Sequence, residues 1–389
     1  MGRHHGAPLG VRQTRPSQID LTMHELIAID LPGGPDFVDA LQRIWDAGDA
    51  AFPVDRRLPL NRQRELMDQF GVAAIVDTSG RTALTGGIPT ETGDALVVAT
   101  SGSTGQPKGA VLTHEAIRAS ALATSAHLGV TSSDHWLACL PLAHVGGLSV
   151  ITRALVTNTP LTVIDGFDAD VVAHSSATLV SLVSTALVRT DTSHYRVVVL
   201  GGSRPPAQRP ANTVTTYGMT ETGSGVVYDG RPLHNVEVRI VDDEVQLRAP
   251  MLLRCYRDGH DPRTPDGWFP TGDTGRWLPD GRLHVEGRRG DVIVTGGEKV
   301  WPEPVEAVLT RHPDLDDVAV NGTPDPEWGA VVTAHIVTSR DDLSIEELRD
   351  FARAELPGWA LPRRLVRRSM IPRTALGKVQ RHQLNDTAS

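Results

Sequence analysis

The segment Ala99-Thr-Ser-Gly-Ser-Thr-Gly-Gln-Pro-Lys-Gly109 combines glycines, hydroxyls and a lysine directly after an apolar stretch and shortly before a helical one. Glycines let backbone N–H groups approach an anion. The hydroxyls of Ser101, Ser103 and Thr104 add donors, and Lys108 adds a compact charge, so Thr100, Ser101, Gly102, Ser103, Thr104, Gly105 and Lys108 are candidate phosphate ligands. Pro107 before the lysine and Gly109 after it exclude the Gly-Lys-Ser/Thr form of a P-loop. Downstream, Tyr217-Gly-Met-Thr-Glu-Thr222 offers a ring that can cover a purine, a Thr220 hydroxyl for a phosphate oxygen, and a Glu221 carboxylate for the Mg²⁺ that bridges phosphates. Asp273 follows a tight turn in Phe269-Pro-Thr-Gly-Asp-Thr274, where a carboxylate can accept both hydroxyls of a ribose or serve as an ordinary turn residue. Of 38 basic residues beyond histidine only Lys108, Lys299 and Lys378 are lysine. An otherwise arginine-using chain that keeps three lysines marks places suited to a compact ammonium.

These residues need a scaffold, and from residue 95 onward short β-branched runs alternate with helical stretches. Strands are predicted at 95–99, 136–139, 161–164, 178–180, 197–200 and 213–216, the pattern of a layered α/β sheet. A helix is predicted from the N-cap Thr113 to Gly129. Alternating segments at 236–240, 244–247 and 283–285 predict a small antiparallel subdomain, and a helix at 304–311, strands at 318–321 and 331–337 and a helix at 344–355 predict a separate α+β unit. Before residue 95 only two helices stand out, at 35–46 and 61–70, and little chemistry is legible there. At 389 residues, two domains are expected. A net charge of −9 disfavours nucleic acid as the main partner. No apolar run is long enough to insert stably in a membrane, and the first twenty residues lack the apolar stretch of a secretory signal, so a cytoplasmic protein is expected. Two distant cysteines, Cys139 and Cys255, argue against a disulfide framework or a zinc cluster. Met23 opens a more protein-like text and leaves open whether residues 1–22 belong to the native protein.

The phosphate-type loop resembles the signature of the adenylate-forming superfamily of acyl-CoA synthetases, peptide-synthetase adenylation domains and luciferases. Further motifs of that family follow in order between residues 95 and 384. The resemblance implies a large layered α/β N-terminal domain with a β-rich subdomain (1–286), a hinge at 287–291, and a small mobile C-terminal domain (292–389). It implies ATP, Mg²⁺ and coenzyme A as co-substrates and cofactor, and a small carboxylic acid as partner. It places Gly201, Gly202 and Ser203 beside adenine, with Tyr217, Gly218, Met219, Thr220, Asp273 and Arg288 on the nucleotide, Glu221 on the metal, and Lys378 between the acid and the α-phosphate. His144, in Leu140-Pro-Leu-Ala-His-Val-Gly-Gly147, would line the acid pocket with Gly218. The stretch Gly296-Gly-Glu-Lys-Val-Trp-Pro302 resembles CoA ligases more than carrier-protein adenylation domains, which assigns Gly296, Gly297 and Lys299 to coenzyme A. Within the superfamily, the stretches at 144–149 and 217–233 resemble the short o-succinylbenzoate-CoA ligases of menaquinone biosynthesis. That substrate is a diacid whose second carboxylate needs a buried cation, for which Arg153, nine residues after His144, is the candidate, with Ser149 nearby. Two departures from the family stand out: Gly290 at the hinge, where relatives often carry Asp or Lys, and Cys255-Tyr256 in place of Gly-Tyr. A CoA ligase for another small aromatic or short-chain acid, loading of a carrier protein, luciferase-like oxygenation and a nucleotide-binding protein without catalysis remain alternatives, and the sequence is compatible with a homo-oligomer.

Overall fold

The computed structural model describes residues 24–100, 107–202, 205, 206, 208–373 and 379–385. Its first sheet has seven strands: β1 (Leu26–Ile29), β2 (Ala50–Pro53), β3 (Ala74–Asp77), β4 (Gly80–Ala83), β5 (Asp94–Thr100), β6 (Lys108–Thr113) and, much later in the chain, β16 (Cys255–Tyr256). Their order is β16-β6-β5-β2-β1-β3-β4. The region before residue 95 therefore supplies four strands of a seven-stranded sheet, which corrects the expectation of helices alone. In β1 and β2 every residue is buried, so neither shows the polar alternation that betrays a strand. Successive residues still part by period two: Leu26 and Ala28 pack in one core cluster, Ile27 and Ile29 in another.

The second sheet runs β13-β12-β11-β10-β9-β7-β8, from β7 (Trp136–Ala138), β8 (Leu161–Val163), β9 (Leu179–Val183), β10 (Val197–Gly201), β11 (Thr213–Met219), β12 (Ser224–Tyr228) and β13 (Arg231–Pro232). Strands β7 to β11 are parallel where they pair. One core cluster joins both sheets through α1 (Pro35–Asp46), α3 (His114–His127) and α4 (Val145–Thr157). Helix α1 buries Phe37, Ala40, Leu41 and Ile44, a single stripe. Eight residues of α4 from Gly147 to Ala154 are buried in succession, as a helix between two sheets requires. The outer face of the first sheet packs on α2 (Leu60–Phe70), and that of the second on α5 (Ala169–Ala173) and α6 (Ser184–Leu187). The result is an α-β-α-β-α stack.

The antiparallel subdomain is the sheet β14-β15-β17-β18, from β14 (Glu237–Val241), β15 (Glu244–Arg248), β17 (Phe269–Trp277) and β18 (Leu283–Arg288). From residue 293 a separate core forms around β19 (Ile293–Thr295), β20 (Glu298–Val300), α7 (Pro302–Leu309), β21 (Asp317–Asp325), β22 (Gly329–Val337), α8 (Ile345–Ala352) and β23 (Arg364–Arg367). Thr113 caps α3 as expected, accepting from Ala116 N–H at 3.1 Å. Between the phosphate-type loop and that helix stands a strand that the sequence alone does not mark. Thr100 pairs with Lys108 across an antiparallel β5–β6 hairpin, so the loop joins two strands and α3 begins only after β6. Among the described residues no helix is long and apolar enough to cross a membrane.

Candidate active site

Three candidate residues from two sheets meet at one carboxylate. The Tyr217 hydroxyl, from β11, donates to Asp273 Oδ2 at 2.7 Å. Arg288 Nε, from β18, lies 3.0 Å from Asp273 Oδ1, and its Nη1 donates to the Thr271 carbonyl at 2.7 Å. Asp273 sits in β17 immediately after Gly272, whose φ of 71° supplies the turn, and its backbone N–H bonds the Thr271 hydroxyl at 3.1 Å. Burial, followed by the Asp273 charge, pushes the Tyr217 phenol well above its ordinary value, so it remains a donor. Gly201 ends β10, the parallel neighbour of β11, and Gly202 follows it. Gly218 must be glycine because a Cβ there would lie 2.2 Å from the Ser224 carbonyl oxygen. Gly201 and Tyr217 lie at the carboxyl ends of the neighbouring parallel strands β10 and β11, where open α/β sheets take ligands, and Asp273, beside Arg288, reaches Tyr217 from the antiparallel sheet.

A second group adjoins the phosphate-type loop. Lys108 opens β6, and its Nζ lies 4.8 Å from the centroid of the Tyr256 ring. The Tyr256 hydroxyl donates to Glu221 Oε1 at 2.9 Å. Glu221 lies in the short turn Thr220–Thr222 that follows β11, with Met219 N–H bonded to the Thr222 hydroxyl at 2.9 Å. No ion pair engages Glu221 among the described residues. A single carboxylate of this kind fits Mg²⁺, which takes one or two protein oxygens and completes its shell with phosphate and water. Ser101, Gly102, Ser103, Thr104, Gly105, Ser203 and Lys378 lie outside the described residues.

The third group belongs to α4. His144 is its N-cap residue, and one helix turn separates Ser149 from Arg153. Arg153 is 3 % exposed. Its Nη2 donates to Ser149 Oγ at 3.1 Å and to Ser224 Oγ, its Nη1 reaches Ser181 Oγ at 3.5 Å, and its guanidinium carbon lies 5.4 Å from the Trp136 ring centroid. No carboxylate pairs with it among the described residues, and burial lowers its pKa. Beside it a small cavity is lined by Leu96, Leu112, Ile117, Ser149 and Thr152. Sequence reasoning missed Ser181 and Ser224. A lone hydroxyl inside the apolar run Leu179-Val-Ser-Leu-Val183 was the available signal for the former.

It also missed Asp55. His144 Nε2 lies 3.2 Å from Asp55 Oδ2, whose partner Arg57 binds the same carboxylate through Nε at 2.7 Å and Nη2 at 2.8 Å. Burial raises the Asp55 carboxyl, but the nearby His144 ring and the hydrogen bonds from Arg57 outweigh it and hold the group below the usual carboxylate range. Asp55 follows β2 of the first sheet and His144 caps α4, so the pair ties that sheet to the N-terminal end of the helix that carries Arg153. On the activity that the resemblance implies, with His144 in the acid pocket, replacing Asp55 with Asn is expected to raise the Michaelis constant for the acid about tenfold and that for ATP less than about twofold, since only the charge beside His144 is lost. Initial-rate kinetics with each substrate varied would check this.

The residues assigned to coenzyme A lie on the C-terminal sheet. Gly296 and Gly297, with φ of 57° and 90°, form the two-residue turn of the β19–β20 hairpin. Lys299 is exposed and its Nζ lies 2.7 Å from Asp243 Oδ2, at the tip of the β14–β15 hairpin. Trp301 Nε1 donates to Thr274 Oγ1 at 2.8 Å, a second contact between these two sheets. Gly290 has open space around its Cα and no positive φ, so nothing local demands glycine there.

The family model for AMP-binding enzymes matches residues 87–251, and that for the AMP-binding enzyme C-terminal domain matches residues 304–378. A 2-succinylbenzoate–CoA ligase of Listeria monocytogenes is 34% identical over 331 residues, 76% of this chain and 70% of that protein. This chain belongs to the AMP-binding enzymes. Among solved members of this group, the o-succinylbenzoate CoA synthetase of Bacillus subtilis bound to its acyl-adenylate intermediate OSB-AMP superposes with a TM-score of 0.84, at 27% identity over 94% of this chain and 89% of that one. The same Bacillus subtilis enzyme with ATP and magnesium gives 0.83, at 27% identity over 93% and 89%. In AMP-binding enzyme terms, the first matched segment holds the phosphate-type loop, Arg153 and Glu221, and the second ends on Lys378.

Proposed function

We propose that this AMP-binding enzyme joins o-succinylbenzoate to coenzyme A through an acyl-adenylate. The observation that carries the choice of acid is Arg153, a buried guanidinium with three serine hydroxyls and no carboxylate partner among the described residues. A buried cation without a counter-charge is costly, and a ligand carboxylate would relieve that cost. Relatives named 2-succinylbenzoate–CoA ligase support the same reading.

In the first half-reaction an oxygen of the distal carboxylate attacks the α-phosphorus of ATP and pyrophosphate leaves. In the second, the thiol of coenzyme A attacks the acyl carbonyl and AMP leaves. Asp273 accepts the ribose hydroxyls with Arg288 beside it, Tyr217 covers the adenine, and the backbone of Gly201, Gly202 and Ser203 flanks it. The loop from Thr100 to Lys108 and the Thr220 hydroxyl hold the phosphates. When bound at Glu221, Mg²⁺ neutralises phosphate charge and favours departure of pyrophosphate. Lys378 offsets charge that develops between acid and α-phosphate, and His144 lines the acid pocket. Residues 287–291 act as the hinge on which residues 292–389 turn to exchange Lys378 for the Gly296-Gly297 face, with Lys299 toward coenzyme A. No enzyme nucleophile is required; holding two anions in line supplies much of the rate.

The test is pyrophosphate release with Mg·ATP across o-succinylbenzoate, benzoate, short-chain and fatty acids, each with and without coenzyme A. Release with o-succinylbenzoate at a rate at least about tenfold above the monoacids, with a CoA-dependent thioester, is the expected result. Equal release with benzoate would overturn the choice of acid and keep the chemistry.

A further inference from the structure

The Lys108–Tyr256–Glu221 group contains a residue to which the reaction above gives no part. Tyr256 is 7 % exposed and stands between a phosphate-binding cation and a metal-binding carboxylate. Its segment is fixed from every side. Leu253 N–H donates to the Glu221 carbonyl at 2.7 Å, Arg254 N–H to Val111 O at 2.8 Å, and Arg257 N–H to Gly109 O at 2.7 Å, which lays β16 along β6 immediately after the phosphate-type loop. Arg254 grips the buried Asp94 through Nε at 2.8 Å and Nη2 at 2.9 Å. Arg257 donates to the carbonyls of Phe70, Ile88 and Pro89. The His260 ring lies nearly parallel to that of Tyr256, at 6.2 Å between centroids. So many anchors on a strand of two residues fix where one ring and one hydroxyl sit.

Resting on the functional reading above, we propose that Tyr256 is a positioning residue that keeps Lys108 and Glu221 apart and aimed, so that the ammonium meets phosphate and the carboxylate meets Mg²⁺ rather than each other. The ring offers its face to Lys108, an attraction that holds the ammonium without neutralising it. The hydroxyl donates to Glu221 Oε1 and orients the carboxylate, leaving Oε2 for the metal. Without the spacer, an opposite charge pair would close on itself and withdraw both groups from Mg·ATP.

The experiment compares the wild type with Tyr256→Phe, which keeps the ring and removes only the hydroxyl. The Mg²⁺ concentration for half-maximal pyrophosphate release is expected to rise about tenfold, with the Michaelis constant for the acid unchanged. Calorimetry of Mg·ATP binding should show a loss of similar size, while binding of ATP in EDTA stays within about twofold. Tyr256→Phe introduced into Glu221→Gln should add nothing further, because the hydroxyl acts through that carboxylate. An unchanged Mg²⁺ dependence, an equal loss for acid and metal, or a full additional tenfold loss in the Glu221→Gln background would each overturn the proposal. If the wild type releases no pyrophosphate with any acid, the functional reading fails, whereas the calorimetric comparison of Mg·ATP still decides the role of Tyr256.

Discussion

Replacing Arg153 with leucine is expected to lower kcat/KM for o-succinylbenzoate by about 100-fold or more, to change the Michaelis constant for ATP by less than about twofold, and to leave the melting temperature unchanged or higher. The first expectation follows from what the substrate would meet. A carboxylate entering a site that has lost the Arg153 guanidinium stays desolvated and unpaired, a penalty of roughly 3 kcal/mol or more. The last follows from what the free protein already bears. Arg153 is buried, its Nε has no hydrogen-bond partner, and no carboxylate among the described residues faces it. Leucine removes that uncompensated charge and fills most of the volume. The cost is three serine hydroxyls short of a donor, and Ser149, inside α4, can turn to the backbone one turn earlier. A residue held for structure behaves oppositely: its loss lowers melting temperature and weakens both substrates alike. Steady-state kinetics with each substrate varied, beside thermal unfolding, separates the two, and a fall of more than about 5 °C would remove Arg153 from the substrate site.

What was legible in the sequence was whatever local chemistry dictates. Glycine and hydroxyl spacing marked the phosphate-type loop, the parallel strands 197–200 and 213–216 declared themselves by β-branched runs, and Asp273 by its turn. Three kinds of feature were not legible. Strands of four buried residues, such as β1 and β2, carry no alternation and are too short to separate from a helix turn. Long-range pairs are invisible because their partners are remote in the chain: Asp55 meets His144, and Arg254 meets Asp94 across 160 positions. Hairpin closure misled as well, because a glycine-rich loop between a strand and a later helix reads the same whether or not a second strand intervenes, as β6 does here. The scarcity of lysine marked Lys108 next to Tyr256 and Glu221, but it marked Lys299 equally, and that side chain forms an exposed pair with Asp243. Composition selects residue types, and only the fold says which of them share a site.

The second large effect is expected at Asp273, where three substitutions should fall in a fixed order. Asp273→Ala removes the shared acceptor of Tyr217 and Arg288, which takes the carboxylate from a buried phenol and leaves the guanidinium held only by the Thr271 carbonyl. The Michaelis constant for ATP should rise about 100-fold and the melting temperature fall by roughly 5 °C, with the acid constant little changed. Asp273→Asn keeps an acceptor oxygen for one partner but loses the charge, so the ATP constant should rise about tenfold with a smaller thermal loss. Tyr217→Phe deletes a single donor and leaves the carboxylate on Arg288. If Asp273 serves the ribose, freeing one of its oxygens costs the nucleotide little, and the ATP constant should shift by less than about threefold. If instead Asp273 serves only to tie β11, β17 and β18 together, Tyr217→Phe and Asp273→Asn each break one strut and should match in both melting temperature and ATP constant. Binding of AMP measured by calorimetry gives the same ranking without turnover, because a ribose contact is made by AMP as well as by ATP.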